Sequence, residues 1–222
     1  MLEKNCSNNA NIVEIFESIQ GEGINIGENQ LFIRFSECNL NCKYCDTNHS
    51  KEISTSWSTE NLLKEIENFK GKTIALTGGE PLLHTEFLKE VLSQTEKNIY
   101  LETNGTLPDK LAKIIDLVSV VAMDIKLQSS TGQKNQFEKN EEFAHIASQK
   151  VAFIKIVFDE NITDEEILKT IEIAKKYNLT IILQPKMPMN KGFQPEEIFY
   201  KYFKKYKNIR LIPQVHKFLN IR

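Results

Sequence analysis

Along the chain, short apolar runs rich in β-branched residues alternate with longer amphipathic stretches rich in lysine and glutamate. The apolar runs predict strands at 12–16, 31–35, 73–77, 98–102, 117–123, 151–157, 180–184 and 209–212. Between them, apolar positions at helical spacing predict helices near 59–69, 85–95, 108–115, 138–149, 164–177 and 195–206. The helix at 164–177 carries the clearest signal. Thr163 can cap it, Glu166 stands three residues on, and Ile167, Ile171 and Ala174 recur on one face. Strand–helix alternation of this kind implies an α/β fold with a mainly parallel sheet and right-handed crossovers. The length suits a partial, open (β/α) barrel better than a full eightfold one, which usually takes about 250 residues.

The unusual polar segments all fall just after predicted strands. SECNLNCKYCDT follows LFIRF, GGEP follows TIALT, TNG follows NIYLE, DIK follows LVSVVAM, QPKMP overlaps and follows TIILQ, and PQVHK follows IRLI. In parallel α/β sheets the carboxyl ends of the strands form the active-site face, so these segments should converge on one rim. No long linker or low-complexity tract divides the chain, and residues 1–222 read as one domain.

Composition narrows the function classes. With 41% hydrophobic residues the chain can bury a sizeable core. Lys plus Arg (28) nearly balance Asp plus Glu (30), for a net charge of −2. That balance argues against a broad nucleic-acid or anionic-membrane surface. No apolar run reaches the roughly 18–20 residues needed to span a bilayer. The N-terminus lacks a signal-peptide pattern, and a cytoplasmic protein is expected.

In a reducing cytosol, clustered thiols point to metal binding or chemistry rather than disulfides. Cys38, Cys42 and Cys45 form a C-x3-C-x2-C run within one predicted loop, whereas Cys6 lies apart in a polar stretch. Four thiolates would saturate a four-iron cluster; three leave one iron open for a ligand such as S-adenosylmethionine (SAM). The competing reading is a structural zinc site with His49 as fourth ligand. In Gly78-Gly79-Glu80-Pro81, two glycines permit close approach of backbone to a ligand and a carboxylate can accept from an ammonium; alone, the segment also reads as a tight turn.

The tripled-cysteine loop after a strand, with Tyr44 before its last cysteine, and the following Thr77-Gly-Gly-Glu-Pro81 resemble the radical SAM superfamily. Further segments narrow the likeness: Gln20-Gly-Glu-Gly23, Arg34, Cys45-Asp-Thr47, Glu102-Thr-Asn-Gly-Thr106 and the tail Gln214–Ile221 resemble the 7-carboxy-7-deazaguanine synthase family, in order and over nearly the whole chain. The resemblance implies conversion of 6-carboxy-5,6,7,8-tetrahydropterin to 7-carboxy-7-deazaguanine, with loss of ammonia, on a route to deazaguanine nucleosides such as queuosine. It implies a 4Fe-4S cluster, SAM and Mg²⁺, an electron donor such as flavodoxin or ferredoxin, a homodimer, and a C-terminal tail that closes over the substrate.

Carried onto this sequence, the resemblance makes Cys38, Cys42 and Cys45 the cluster ligands and Thr47 the Mg²⁺ ligand. SAM would meet Gly79, Glu80, Glu102, Asn104, Asp124, Ile125, Lys126, Gln184, Pro185, Lys186 and Met187. The pterin would meet Ile19, Gln20 and Gly21, mostly through backbone, with Arg34, Thr77, His216 and Arg222. Read as residues alone, Arg34 also suits an ion pair, Thr47 a turn, Lys126 a solvated strand end and His216 the orienting of the tail. The chain ends in Arg222 where some family members have proline, and has Asp124-Ile125-Lys126 where some have Ser-Pro-Lys. The nearest rival is an activating enzyme for a glycyl-radical protein; a zinc-stabilised binding module is the non-enzymatic alternative.

Overall fold

A computed structural model of the chain describes residues 9–45 and 48–221. Nine strands form one sheet: β1 (Asn9–Ile19), β2 (Asn29–Phe35), β3 (Thr55–Ser58), β4 (Thr73–Gly78), β5 (Asn98–Thr103), β6 (Val120–Asp124), β7 (Val151–Phe158), β8 (Thr180–Pro185) and β9 (Ile209–Leu211). Their order is β3-β1-β2-β4-β5-β6-β7-β8-β9, so the sheet is open, with β3 and β9 at its edges. From β2 to β9 all neighbours are parallel. The helices are α1 (Thr59–Asn68), α2 (Thr85–Leu92), α3 (Pro108–Ala112), α4 (Gln128–Thr131), α5 (Phe137–Ala147), α6 (Asp164–Tyr177), α7 (Pro195–Phe203) and α8 (Val215–Leu219).

The expected strand–helix alternation is present, with three differences. β1 runs antiparallel to both β2 and β3, because a short connection after Ile19 turns the chain straight back. The edge strand β3 and the short helices α4 and α8 were not anticipated; four or five residues hold too little periodicity to announce an element. The strand expected from 117 begins at Val120, since Ile115–Leu117 form a 3-10 turn. The capping box predicted for α6 forms: Thr163 Oγ1 accepts from the Glu166 N–H, while Glu166 Oε2 accepts from the Thr163 N–H at 3.0 Å.

Strand periodicity sorts the side chains into two faces. One face, including Leu31, Ile33, Phe35, Ile74, Leu76, Leu101, Val121, Ile154 and Leu183, packs with the helices in the main core. The alternate positions Phe32, Ala75, Tyr100, Ala122, Phe153 and Ile182 make a smaller apolar layer on the other face. Each Leu, Ile, Val or Phe among them, fully buried, stabilises the fold by about 1.5–3 kcal/mol before entropy is counted. Two residues further along the same strands, on that same second face, stand Arg34, Thr77, Glu102, Asp124, Lys155 and Gln184. The sheet therefore floors a cavity with polar groups directly above an apolar layer.

Candidate active site at the carboxyl ends of the strands

The cavity has a volume of about 650 Å³ and is walled by the cysteine loop, the strand ends, the loop after β1 and the C-terminal tail. Cys38, Cys42 and Cys45 all stand on its wall. Several contacts fix their loop. Lys43 N–H donates to Thr131 O (3.0 Å), Gln133 Nε2 to Asn41 O (2.8 Å), and Glu37 N–H to His49 O (2.8 Å). Lys126 and Lys186, from the ends of β6 and β8, lie 5.6 and 5.5 Å from the Tyr44 ring, a cation–π brace on the residue before the last cysteine.

The donor set suits an iron–sulfur cluster. The Leu40 N–H and Asn104 Nδ2 both point at Cys38 Sγ (3.5 and 3.9 Å), as donors to a ligating sulfur would. Burial pushes the Cys42 thiol up to about 11, and burial likewise raises Cys38, so bound iron would have to draw these protons off.

Glu80 does not face the cavity. It is fully buried and accepts from Thr103 Oγ1 (2.8 Å), the Asn104 N–H (2.8 Å) and the Leu82 N–H (3.1 Å). Burial raises its carboxyl to about 7 against the pull of those three bonds. It ties the GGEP turn to the Thr103-Asn104 segment, and Asn104 in turn donates to Asn39 Oδ1 (2.8 Å) beside the first cysteine. Ile125 belongs to the apolar core, and Pro185 is buried in β8, outside the lining. Gly79 lines the cavity, as do Glu102, Asn104, Asp124, Lys126, Gln184, Lys186 and Met187. Asp124 Oδ1 and Gln184 Oε1 are buried acceptors without a protein partner, suited to a ligand rich in donors.

Ile19, Gln20 and Gly21 also line the cavity, and Gly21 meets the tail. The Val215 N–H donates to Gly21 O (2.9 Å), and Gln214 Nε2 to Glu22 Oε1 (2.7 Å). His216 packs so closely on Gly21 that an added Cβ would lie 2.4 Å from its Nδ1, which explains the glycine. Gln20 Nε2 donates to Gln30 Oε1 (3.2 Å) and Glu102 Oε1 (3.4 Å), and Thr77 Oγ1 to Glu102 Oε2 (2.9 Å). Burial raises the Glu102 carboxyl, although Lys155 opposes it. Arg34 lines the cavity with its Nε on Glu14 Oε1 (2.7 Å) and its guanidinium 5.7 Å from the Phe16 ring. The ion-pair reading and the cavity-facing reading of Arg34 thus hold together. Thr47, Arg222 and Cys6 lie outside the described residues.

Two prominent groups were not anticipated. Glu22 and Lys155 meet at 2.7 Å inside the cavity. The signal for Lys155 was present: a lysine within the apolar run VAFIKIVF, two residues beyond Phe153, has to share the face of Phe153.

The Radical SAM superfamily model matches residues 32–197. The chain belongs to that superfamily of enzymes, which work with a 4Fe-4S cluster and SAM. It is 38% identical to the 7-carboxy-7-deazaguanine synthase of Archaeoglobus fulgidus, over 96% of this chain and 99% of the relative. It is 32% identical to the enzyme of the same name from Geobacter sulfurreducens, over 95% and 97%. Within the superfamily, the chain is a member of the 7-carboxy-7-deazaguanine synthase family. The crystal structure of QueE from Escherichia coli shares the fold with a TM-score of 0.67 at 21% identity, over 94% of this chain and 95% of that one. These relatives favour the deazaguanine reading over the glycyl-radical activator and the zinc module. Among the described residues no helix is long and apolar enough to cross a membrane.

Proposed function

We propose that this chain is a radical SAM lyase that converts 6-carboxy-5,6,7,8-tetrahydropterin to 7-carboxy-7-deazaguanine with release of ammonia. The observation that carries the reading is one shared cavity. The three cysteines open into the same 650 Å³ space as the Gln20–Glu22 loop, Arg34 and the tail. A 4Fe-4S cluster with SAM bound would supply the hydrogen-abstracting chemistry there. The lining mixes Glu14, Glu22, Glu102 and Asp124 with Arg34, Lys126, Lys155, Lys186 and Lys217, so ligands that carry both an ammonium or sulfonium and a carboxylate find opposite charges there.

In this reading Cys38, Cys42 and Cys45 hold the cluster. Gly79, Glu102, Asn104, Asp124, Lys126, Gln184, Lys186 and Met187 receive SAM; Glu80 acts behind them through Asn104, and Ile125 and Pro185 contribute backbone. Ile19, Gln20, Gly21, Thr77, His216 and Arg222 hold the pterin, and Arg34 receives its carboxylate beside Glu14. The whole chain works as one domain with the tail as closure. It works in the cytoplasm, as a homodimer, with an electron donor such as flavodoxin or ferredoxin. The test is anaerobic incubation of reconstituted protein with SAM, reductant, Mg²⁺ and the carboxypterin. Mass analysis should find a product lighter by one ammonia; unchanged pterin beside consumed SAM would defeat the proposal.

Two variants refine it. Arg34→Ala should raise KM for the carboxypterin at least about 30-fold while leaving KM for SAM within a few-fold, since losing one partner of a buried charge pair costs about 2–5 kcal/mol. Equal rises in both constants would reduce Arg34 to a structural ion pair with Glu14. Thr47 should lend its hydroxyl to Mg²⁺, a hard cation that keeps waters and needs few protein oxygens. Thr47→Ala should therefore weaken the Mg²⁺ dependence of turnover with cluster content unchanged. Turnover titrated with Mg²⁺ against a chelator blank decides this, and an unaltered curve would place the metal elsewhere.

A further inference from the structure

Lys155 sits on the inner strand β7, is 8% exposed, and has three carboxylates around it. Its Nζ is 2.7 Å from Glu22 Oε2, in the loop after β1, and 3.3 Å from Asp124 Oδ2, at the end of β6. From β5, Glu102 adds a third negative neighbour and Tyr100 a hydroxyl; the cysteine loop presents Tyr44. In register on β8 is the apolar Ile182. Burial alone would lower Lys155, but the carboxylates outweigh it and hold the ammonium form well above its ordinary range.

The two near partners are not equivalent. Asp124 has a second cation, since Lys126 Nζ stands 2.8 Å from the same Oδ2. Glu22 has Lys155 as its ion-pair partner at hydrogen-bond distance, with a further weak pull from His216 on α8. Burial would raise the Glu22 carboxyl, yet the charge and hydrogen bond of Lys155 and the bond from Gln214 hold it at about 2. The other oxygen of Glu22 is the one that receives Gln214, at the root of the tail. The tail then continues through Val215 N–H to Gly21 O. A buried carboxylate bridging two segments far apart in sequence needs a resident cation to stay ionised.

We propose that Lys155 is a positioning residue that keeps Glu22 ionised and thereby latches the C-terminal tail onto the first loop, closing the substrate side of the cavity. The inference rests on the proposed function only for its kinetic readout. Stability follows the same sign: the lowered Glu22 carboxyl contributes above its ordinary value near 4.5, and that contribution is lost as pH falls toward 2.

The test uses Lys155→Met, Lys155→Arg, Glu22→Gln and the double variant of Lys155→Met with Glu22→Gln. In full-length protein without cofactor, hydrogen exchange at the Val215 amide should speed up at least about tenfold in Lys155→Met, because its latch has opened. Lys155→Arg should retain most of the protection. With the loaded enzyme, Lys155→Met should lower kcat/KM for the carboxypterin at least about 30-fold, while KM for SAM changes little because Lys126 still serves Asp124. A new acid limb should appear in its pH profile between about pH 5 and 7, where the unpaired, buried Glu22 takes a proton. The double variant should lack that limb. Wild-type tail protection together with no new limb in Lys155→Met would overturn the proposal. Should Lys155→Met fail to fold, Glu22→Gln decides alone: it must loosen the tail, and wild-type exchange there would overturn the latch. If the wild type leaves the carboxypterin unconverted, the functional reading falls, while the exchange experiment still judges Lys155.

Discussion

Replacing any one of Cys38, Cys42 or Cys45 with alanine is expected to abolish reductive SAM cleavage, a loss of at least about a thousandfold, while Cys6→Ala keeps it. The three thiols share one loop and one cavity, and their spacing leaves two ligands rather than three when any is removed. Three thiolates on a four-iron cluster leave one iron open, and that open position is what a catalytic metal site requires. The measurement is methionine formed from SAM by anaerobically reconstituted, reduced protein, read beside iron content and brown absorbance. Loss of cluster iron in Cys6→Ala to the same degree would sink the three-ligand, open-iron argument.

The second large effect is expected from a single methyl group. Gly79→Ala places a Cβ 1.8 Å from the carbonyl oxygen of Glu37 and 2.5 Å from its carbonyl carbon, the residue immediately before Cys38. Those are backbone atoms, so no rotamer change relieves the overlap. The same oxygen accepts the Glu80 N–H at 2.8 Å, and Glu37 itself holds φ +64°, so neither side has slack. Overpacking of side chains commonly costs about 1–3 kcal/mol, and a backbone clash belongs at or beyond the top of that range. Gly79→Ala should thus lower the unfolding free energy of the cofactor-free protein by about 3 kcal/mol or more, read as an earlier denaturation midpoint, and impair cluster loading. Gly27→Ala is the comparison, since its Cβ would meet nothing within 4 Å although its φ of +89° imposes strain of its own. If Gly79→Ala is no less stable than Gly27→Ala, the close approach of the GGEP turn to the cysteine loop is not what the glycine serves.

Much of the site was readable in the chain before any coordinates. The C-x3-C-x2-C run, GGEP and QGEG are local patterns, with spacing fixed by a single loop. The repeated placement of such patterns just after apolar runs foretold that they would meet at one rim, because parallel strands all deliver their ends to the same side. The Thr163–Glu166 capping box is local in the same sense, and it formed as read.

What only the tertiary structure decided lies in contacts between segments far apart in sequence. The sequence could mark Glu80 as a ligand candidate, but its burial beneath Thr103 and Asn104 depends on how β4 sits against β5. It could mark Arg34, but the Glu14 partner exists because β1 folds back antiparallel on β2. Lys155 and Glu22 are 133 positions apart, and Gln214 and Glu22 are 192 apart. Local periodicity tells which face of a strand a residue occupies. It carries nothing about which distant side chain will stand opposite, because that is set by strand order, and strand order is chosen by the packing of the whole sheet.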